Sequence, residues 1–204
     1  MTIIFDWSGV ISDDRPPVYE ANMILLEKYG KKRITFKEWL PNTKLSVVEY
    51  MQSHNINVDP SIIFKEYKKA FDKVRKSGIH PHLYSDAAGV IKKLSHNGTR
   101  LFVINTHPAQ NLEQEAREYG IYKYFENFIG TIRDKAETIA IILEKIEKPK
   151  EVFYVGDTIY DIQAAKKAKI KSVAITNGYH IRKRLLEEKP DIIVDSLTEL
   201  LKYF

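Results

Sequence analysis

Residues that could handle a phosphate group stand directly after short apolar runs in this sequence. Asp6 ends the first run, Thr106 follows the second, and Asp157 ends a third. Lys135 begins a helical pattern, and Asp161 comes four residues after Asp157, about one helical turn further on. Carboxylates, a hydroxyl and an ammonium group could bind a phosphate and a divalent cation, so we expect one shared site.

The reaction that suits these groups is attack of a carboxylate on phosphorus. A carboxylate can attack only if the negative charge of the phosphate is neutralised first. We expect Lys135 and Mg²⁺ to neutralise that charge, and Thr106 to hold another phosphate oxygen. Mg²⁺ prefers oxygen ligands and retains several waters, so Asp161 could bind it directly or through water. The predicted metal ligands are the carboxylates of Asp6, Asp157 and Asp161 and the backbone carbonyl at Ser8.

The elements that must position these groups alternate between β-rich runs and helical patterns. Candidate strands span residues 3–6, 101–105, 152–156, 172–176 and 191–194. Candidate helices span residues 86–96, 109–119, 135–146, 159–168 and 181–188. This alternation is typical of βα units around a parallel sheet, where ligands collect beyond the carboxyl ends of the strands. The sequence therefore predicts an α/β fold with a Rossmann-like, doubly wound parallel sheet.

Residues 15–84 interrupt the alternation, because they show helical periodicity at 18–29, 45–53 and 62–74 without a convincing strand. Pro16, Pro17, Gly78 and Pro81 punctuate the borders of this segment. We predict a Rossmann-like catalytic core of residues 1–14 and 85–204 and an inserted all-helical cap of residues 15–84. The cap could close as a lid or pack as a rigid subdomain.

Composition excludes several classes of protein. The 204 residues contain no cysteine, which removes disulfides, thiolate nucleophiles and cysteine-based metal sites. The 32 basic residues are interleaved with 27 acidic ones, so we expect no nucleic-acid partner, and the mild positive balance suits a small phosphorylated substrate. Without a long apolar run or a signal-peptide pattern, we expect no membrane association and a cytoplasmic monomer or homodimer.

The ordered motifs FDWSGV, VINT, Lys135 and VGDTIYD resemble those of the haloacid dehalogenase superfamily over nearly the whole chain. The continuation from VGDTIYD is similar to the phosphoglycolate-phosphatase-like branch. The resemblance implies a Rossmann-like core with a helical cap after the first strand, Mg²⁺ and a covalent aspartyl intermediate on Asp6. It therefore implies a phosphatase, a hydrolase of phosphoric monoesters, whose predicted catalytic residues are Asp6, Ser8, Thr106 and Lys135.

Ser8 departs from the family pattern. Phosphatases of this family usually carry a second aspartate two residues after the nucleophile, acting as general acid and then as general base. A serine hydroxyl cannot replace a carboxylate in proton transfer, which is worth roughly 10² to 10⁴ in rate. Three possibilities remain open: a substrate with a good leaving group, help from another residue such as His107, or slow turnover that favours a phosphoryl-enzyme.

Two alternatives to a phosphatase also remain open. The pattern FDWSG resembles the phosphonoacetaldehyde hydrolase branch, in which a cap lysine forms an imine, and Lys44 stands nearest to the corresponding place. The other alternative is a phosphate-ligand binding or regulatory protein with little turnover. Arg133 competes with Lys135 for the phosphate-binding role, and Trp7 could pack internally, face the cap or line the substrate pocket.

Overall fold

The computed structural model describes residues 1–44, 46–146 and 151–204. The chain divides into two compact units, one formed by Met1–Asp13 with Leu83–Phe204 and the other by Asp14–His82. These borders differ from the expected ones by one or two residues. The role of the second unit as a cap stays a prediction.

The first unit contains a six-stranded parallel sheet with the strand order β5-β4-β1-β6-β7-β8. In chain order the strands are β1 (Thr2–Phe5), β2 (Ser12–Asp13), β3 (His82–Leu83), β4 (Arg100–Ile104), β5 (Asn127–Ile129), β6 (Val152–Gly156), β7 (Lys171–Ile175) and β8 (Ile192–Val194). The short strands β2 and β3 lie where the chain passes between the two units. The predicted α/β fold with a parallel sheet is confirmed.

The five candidate strands agree with β1, β4, β6, β7 and β8 to within one residue at each end. The strand β5 was not predicted. It has three residues at the edge of the sheet and follows a short 3₁₀ helix, Tyr122–Tyr124. Three residues are too few to show the period of two that marks a strand.

Helices cover both faces of the sheet, and the strands are buried accordingly. The side chains of Ile3 and Phe5 face one hydrophobic cluster, whereas Ile4 faces the other, as the alternation of a strand requires. The helices of this unit are α5 (Ala87–His96), α6 (Ala109–Glu118), α7 (Lys135–Lys145), α8 (Ile159–Lys167), α9 (Arg182–Glu187) and α10 (Leu197–Leu200). All five candidate helices of the core are present.

The second unit is helical, with α1 (Arg15–Lys28), α2 (Phe36–Trp39), α3 (Val47–Ser53) and α4 (Pro60–Lys76). Helix α1 packs along α4, and the rings of Tyr19, Phe36 and Trp39 lie 5.3 to 5.5 Å apart between centroids. The helix predicted at 45–53 begins on residue 45, which lies outside the described residues.

Within the described ranges, no helix is both long and apolar enough to cross a membrane. The expected cytoplasmic location and the expected monomer or homodimer stay predictions.

Candidate active site

Polar side chains follow three neighbouring strands at the carboxyl edge of the sheet. Strand β1 lies between β4 and β6, and Asp6, Asn105 and Asp157 are the residues that follow these strands. The hydrogen bonds between the strands continue to Asp6 and Asn105. The Asp6 amide donates to the Val155 carbonyl at 2.9 Å, and the Asn105 amide donates to the Ile129 carbonyl at 3.0 Å. The parallel register therefore brings residues about 50 and 100 positions apart in sequence to one edge.

Three carboxylates form the centre of this site. Asp6, Asp157 and Asp161 are each at most 4% exposed, and their ligand atoms all lie within 4.8 Å of one another. Burial raises the pKa of Asp6 to about 6, against the lowering effect of the adjacent lysine ammonium, and burial also raises the pKa of Asp157. Three buried carboxylates are costly unless cations neutralise them, so the site is suited to more than one positive group.

Lys135 supplies one of these cations. Its Nζ atom lies 3.0 Å from Asp6 Oδ2 and 2.5 Å from Asp161 Oδ1. Burial alone would lower the pKa of Lys135, but Asp161 and Asp6 together raise it above the ordinary value, so the ammonium stays charged. The residue begins α7, whose N-cap is Asp134, whereas the competing Arg133 is exposed. The structure therefore favours Lys135 for the cationic role.

The carboxylate of Asp161 accepts hydrogen bonds from the protein at both of its oxygens. Its Oδ1 accepts from Lys135 and from the Tyr154 hydroxyl at 2.8 Å, and its Oδ2 accepts from the Thr158 amide at 2.9 Å and the Thr158 hydroxyl at 2.5 Å. A carboxylate offers about four acceptor positions, and all four are used. In this arrangement Asp161 anchors Lys135 and caps α8. Its predicted role as a metal ligand stays a prediction.

Asp157 differs from Asp161, because one of its oxygens is buried and unsatisfied. The Tyr179 amide donates to Asp157 Oδ2 at 2.6 Å, while Asp157 Oδ1 has no hydrogen-bond partner among the described residues. A Cβ atom at Gly9 or Gly178 would overlap this carboxylate, and Gly9 also has a φ of +74°. A buried acceptor without a donor is destabilising, and a bound cation would satisfy it. The all-oxygen donor set therefore fits Mg²⁺.

Asn105, the residue before the predicted phosphate ligand Thr106, lies beside Asp6. Asn105 is 3% exposed, its Nδ2 donates to Asp6 Oδ1 at 2.8 Å, and its Oδ1 accepts from the His107 amide at 2.9 Å. The second bond fixes which end of the amide faces Asp6. Thr106 is exposed and lies three residues before α6, so its role stays a prediction. The available signal was that Asn105 ends its predicted strand, as Asp6 ends the first one.

The remaining residues that the sequence singled out lie in different surroundings. Ser8 is half-buried, two residues after Asp6, whereas Lys44 and His107 are exposed. Trp7 is buried, stacks on Tyr119 with centroids 6.1 Å apart, and belongs to the hydrophobic core of the first unit. Of the alternatives for Trp7, the structure supports internal packing.

The sequence of motifs that forms this site is characteristic of one family. A family model described as haloacid dehalogenase-like hydrolase matches residues 3–175. The chain belongs to the haloacid dehalogenase-like hydrolase family. The matched segment includes β1 with Asp6, the helix that begins with Lys135, and the β6–α8 connection that carries Asp157 and Asp161.

Individual relatives agree with this assignment over almost their whole length. The chain is 25% identical over 213 residues to a phosphoglycolate phosphatase of Photobacterium profundum, covering 98% of this chain and 93% of the relative. It is 26% identical to a phosphoglycolate phosphatase of Vibrio vulnificus, with the same coverage of both chains. A solved structure of a haloacid dehalogenase-like family hydrolase from Streptococcus pneumoniae matches with a TM-score of 0.78 at 22% identity, covering 100% of this chain and 97% of that one. These comparisons confirm the predicted family, fold and enzyme class.

Proposed function

We propose that this protein is a Mg²⁺-dependent phosphatase that hydrolyses a small organic phosphate through an aspartyl phosphate on Asp6. The observation that carries the proposal is the arrangement around Asp6, whose two oxygens contact the Lys135 ammonium and the Asn105 amide at the sheet edge. The names of the relatives make 2-phosphoglycolate the first substrate to test.

In the first step, an Asp6 carboxylate oxygen forms a bond to phosphorus as the bond from phosphorus to the ester oxygen breaks, and the leaving ester oxygen takes up a proton from solvent. The Lys135 ammonium neutralises the phosphoryl oxygens, and the second N–H of the Asn105 amide donates to one of them. In the second step, water attacks phosphorus and releases a proton to solvent, the bond to Asp6 breaks, and inorganic phosphate leaves. Both steps use the charge of Lys135, which Asp161 holds in place.

Mg²⁺, when bound, supplies the additional positive charge that allows a carboxylate to approach a phosphate. The oxygens that would hold it are those of Asp6 and Asp157 and the backbone carbonyl at Ser8, whereas Asp161 could contribute, directly or through water, only by giving up one of its four protein donors. The unsatisfied Oδ1 of Asp157 supports this assignment.

Proton transfer is the step for which the chain lacks the usual group, because Ser8 stands where a carboxylate is expected. We predict that Ser8→Asp raises kcat for 2-phosphoglycolate by roughly 10² to 10⁴, and by much less for p-nitrophenyl phosphate, whose leaving group needs no protonation. The measurement is Mg²⁺-dependent phosphate release by native and variant proteins. Ser8→Asn is the matched control, since it has the same size without an acid. Equal rates for Ser8→Asp and Ser8→Asn would contradict the prediction.

The two alternatives to a phosphatase, a phosphate-binding protein and an imine-forming hydrolase, predict different results. A binding protein predicts stabilisation by Mg²⁺ and phosphate without product, whereas an imine mechanism predicts a borohydride-trapped adduct with an aldehyde substrate that Lys44→Gln abolishes. Lys44 is exposed, and a nucleophilic lysine normally depends on a desolvated or cationic environment. The geometry therefore gives more support to the phosphatase.

Adjacent residues at the end of β4 provide a matched test of phosphate binding. We predict that Asn105→Ala lowers kcat/KM by roughly 10 to 100-fold, because it removes a buried donor beside the nucleophile. Thr106→Ala should change kcat/KM by less than about threefold, since its side chain is exposed. Steady-state kinetics on one substrate checks both. A larger effect at Thr106 than at Asn105 would return the phosphate-binding role to Thr106.

A further inference from the structure

We infer that Tyr154 is a positioning residue that sets where the Lys135 ammonium lies between Asp161 and Asp6. The inference deepens the proposed function and rests on it. Tyr154 belongs to β6, three residues before Asp157, and the phosphatase mechanism assigns it no role of its own.

The contacts of Tyr154 converge on the ion pair. Its side chain is 1% exposed, its hydroxyl donates to Asp161 Oδ1 at 2.8 Å, and its ring centroid lies 5.7 Å from Lys135 Nζ. The same oxygen, Asp161 Oδ1, accepts from Lys135 at 2.5 Å. The tyrosine and the lysine therefore share one acceptor atom.

The position of the Lys135 ammonium depends on how strongly Asp161 Oδ1 attracts it. Lys135 Nζ lies 2.5 Å from Asp161 Oδ1 and 3.0 Å from Asp6 Oδ2, so the two carboxylates compete for it. The Tyr154 hydroxyl neutralises part of the charge on Asp161 Oδ1. Without that hydroxyl, Lys135 becomes the only donor to this oxygen among the residues that the structure describes, and the stronger attraction draws the ammonium away from Asp6 and the phosphoryl group.

Packing alone does not explain a tyrosine at this position. The side chain lies in the cluster between the sheet and helices α7 and α8, where Ile4, its partner on β1, and Val152, two residues earlier on β6, are aliphatic. A phenylalanine would fill the same volume without a buried hydroxyl that needs a partner. The hydroxyl is therefore best explained by its bond to Asp161.

The test compares Tyr154→Phe with Tyr29→Phe, a matched control in the second unit. The Tyr29 hydroxyl donates to Glu66 Oε2 at 2.6 Å, so both substitutions remove one tyrosine–carboxylate bond. We expect Tyr154→Phe to lower kcat/KM about tenfold, because the displaced ammonium interacts less strongly with the phosphoryl group. We expect Tyr29→Phe to leave kcat/KM within about twofold of the native value.

A second measurement does not depend on turnover. Calorimetry with inorganic phosphate and Mg²⁺ should show about tenfold weaker phosphate binding in Tyr154→Phe. In a Lys135→Gln background, adding Tyr154→Phe should change phosphate affinity by less than about twofold, because the residue through which it acts is absent. A merely structural role would weaken binding equally in both backgrounds.

The outcomes separate this inference from the proposed function. If Asp6→Asn abolishes native turnover but Tyr154→Phe has native kcat/KM and phosphate affinity, the inference is wrong and the phosphatase stands. An equal effect of Tyr154→Phe with and without Lys135 would also overturn the inference. Native protein with neither Asp6-dependent turnover nor Mg²⁺-dependent phosphate binding would overturn the proposed function and the inference together.

Discussion

Asp6→Asn is expected to abolish phosphate release, lowering kcat by at least about 10³-fold, because an amide cannot form the covalent bond to phosphorus. The side chain has nearly the same shape, and its amide oxygen can still accept from Lys135 or from Asn105, whereas its NH2 group cannot accept from the other. Phosphate release and trapping of a phosphoryl-enzyme with labelled substrate are the measurements. Asp72→Asn, at an exposed position on α4, is the matched control and should retain native activity.

Asp6→Asn should also change the free energy of unfolding, and the sign of that change follows from the pKa of the Asp6 carboxyl. Burial raises the pKa of Asp6 from its ordinary 3.8 to about 6 in the folded protein. The folded state then binds more protons than the unfolded state between these values, so the free energy of unfolding falls as pH rises through this window. Without Mg²⁺ at pH 7, Asp6→Asn should therefore be more stable than the native protein by about 1 to 3 kcal/mol.

This stability gain should disappear below about pH 4, where the Asp6 carboxyl is protonated in both states. Urea unfolding of both proteins in chelator, from pH 4 to pH 8, checks the prediction. An Asp6→Asn variant that keeps native turnover would refute the nucleophile assignment. A variant less stable than the native protein at pH 7 would refute the account of Asp6 as a destabilising buried charge.

Lys135→Gln is expected to lose both activity and stability. The substitution leaves Asp6 and Asp161 without the cation that lies 3.0 and 2.5 Å from them. Breaking a buried ion pair by removing one partner costs about 3 to 5 kcal/mol. Loss of the charge that neutralises the phosphoryl group should lower kcat by roughly 10² to 10³. Chemical unfolding at pH 7 and phosphate release measure the two effects.

The loss of stability should be partly reversed by Mg²⁺, or by lowering the pH so that the carboxylates become protonated. Lys167→Gln is the matched control, because Lys167 pairs with Asp134 at 2.7 Å on the exposed surface. It should change the free energy of unfolding by less than about 1 kcal/mol. Equal stabilities for the two variants would show that Lys135 does not neutralise the carboxylate cluster.

The sequence predicted most of the sheet because the necessary information is local. Each central strand is a short apolar run followed by a polar residue, and each of the five predicted helices of the core has a recurring apolar face, so both are visible within about ten residues. Strands β2, β3 and β5 and helices α2 and α10 were missed, because two to four residues do not show a period. Their formation depends on neighbours that are distant in sequence.

The sequence also indicated which residues the site brings together. Asp6 and Asp157 end apolar runs, and the carboxyl ends of neighbouring parallel strands meet at one edge. Lys135 begins α7, and Asp161 lies in the first turn of α8, which follows β6 at that edge. Such positions are set by local sequence and by a general property of parallel sheets.

Only the tertiary structure decided how the side chains are paired at that edge. Thr106 was predicted to hold a phosphate oxygen, and the side chain that contacts Asp6 is that of Asn105, because the register of β4 against β1 determines which residue faces Asp6. The tertiary structure likewise saturates Asp161 with donors from three elements and leaves Asp157 Oδ1 unsatisfied. Chain order and spacing determine which groups reach the site, whereas donor–acceptor pairing depends on distances of a few tenths of an ångström that only packing fixes.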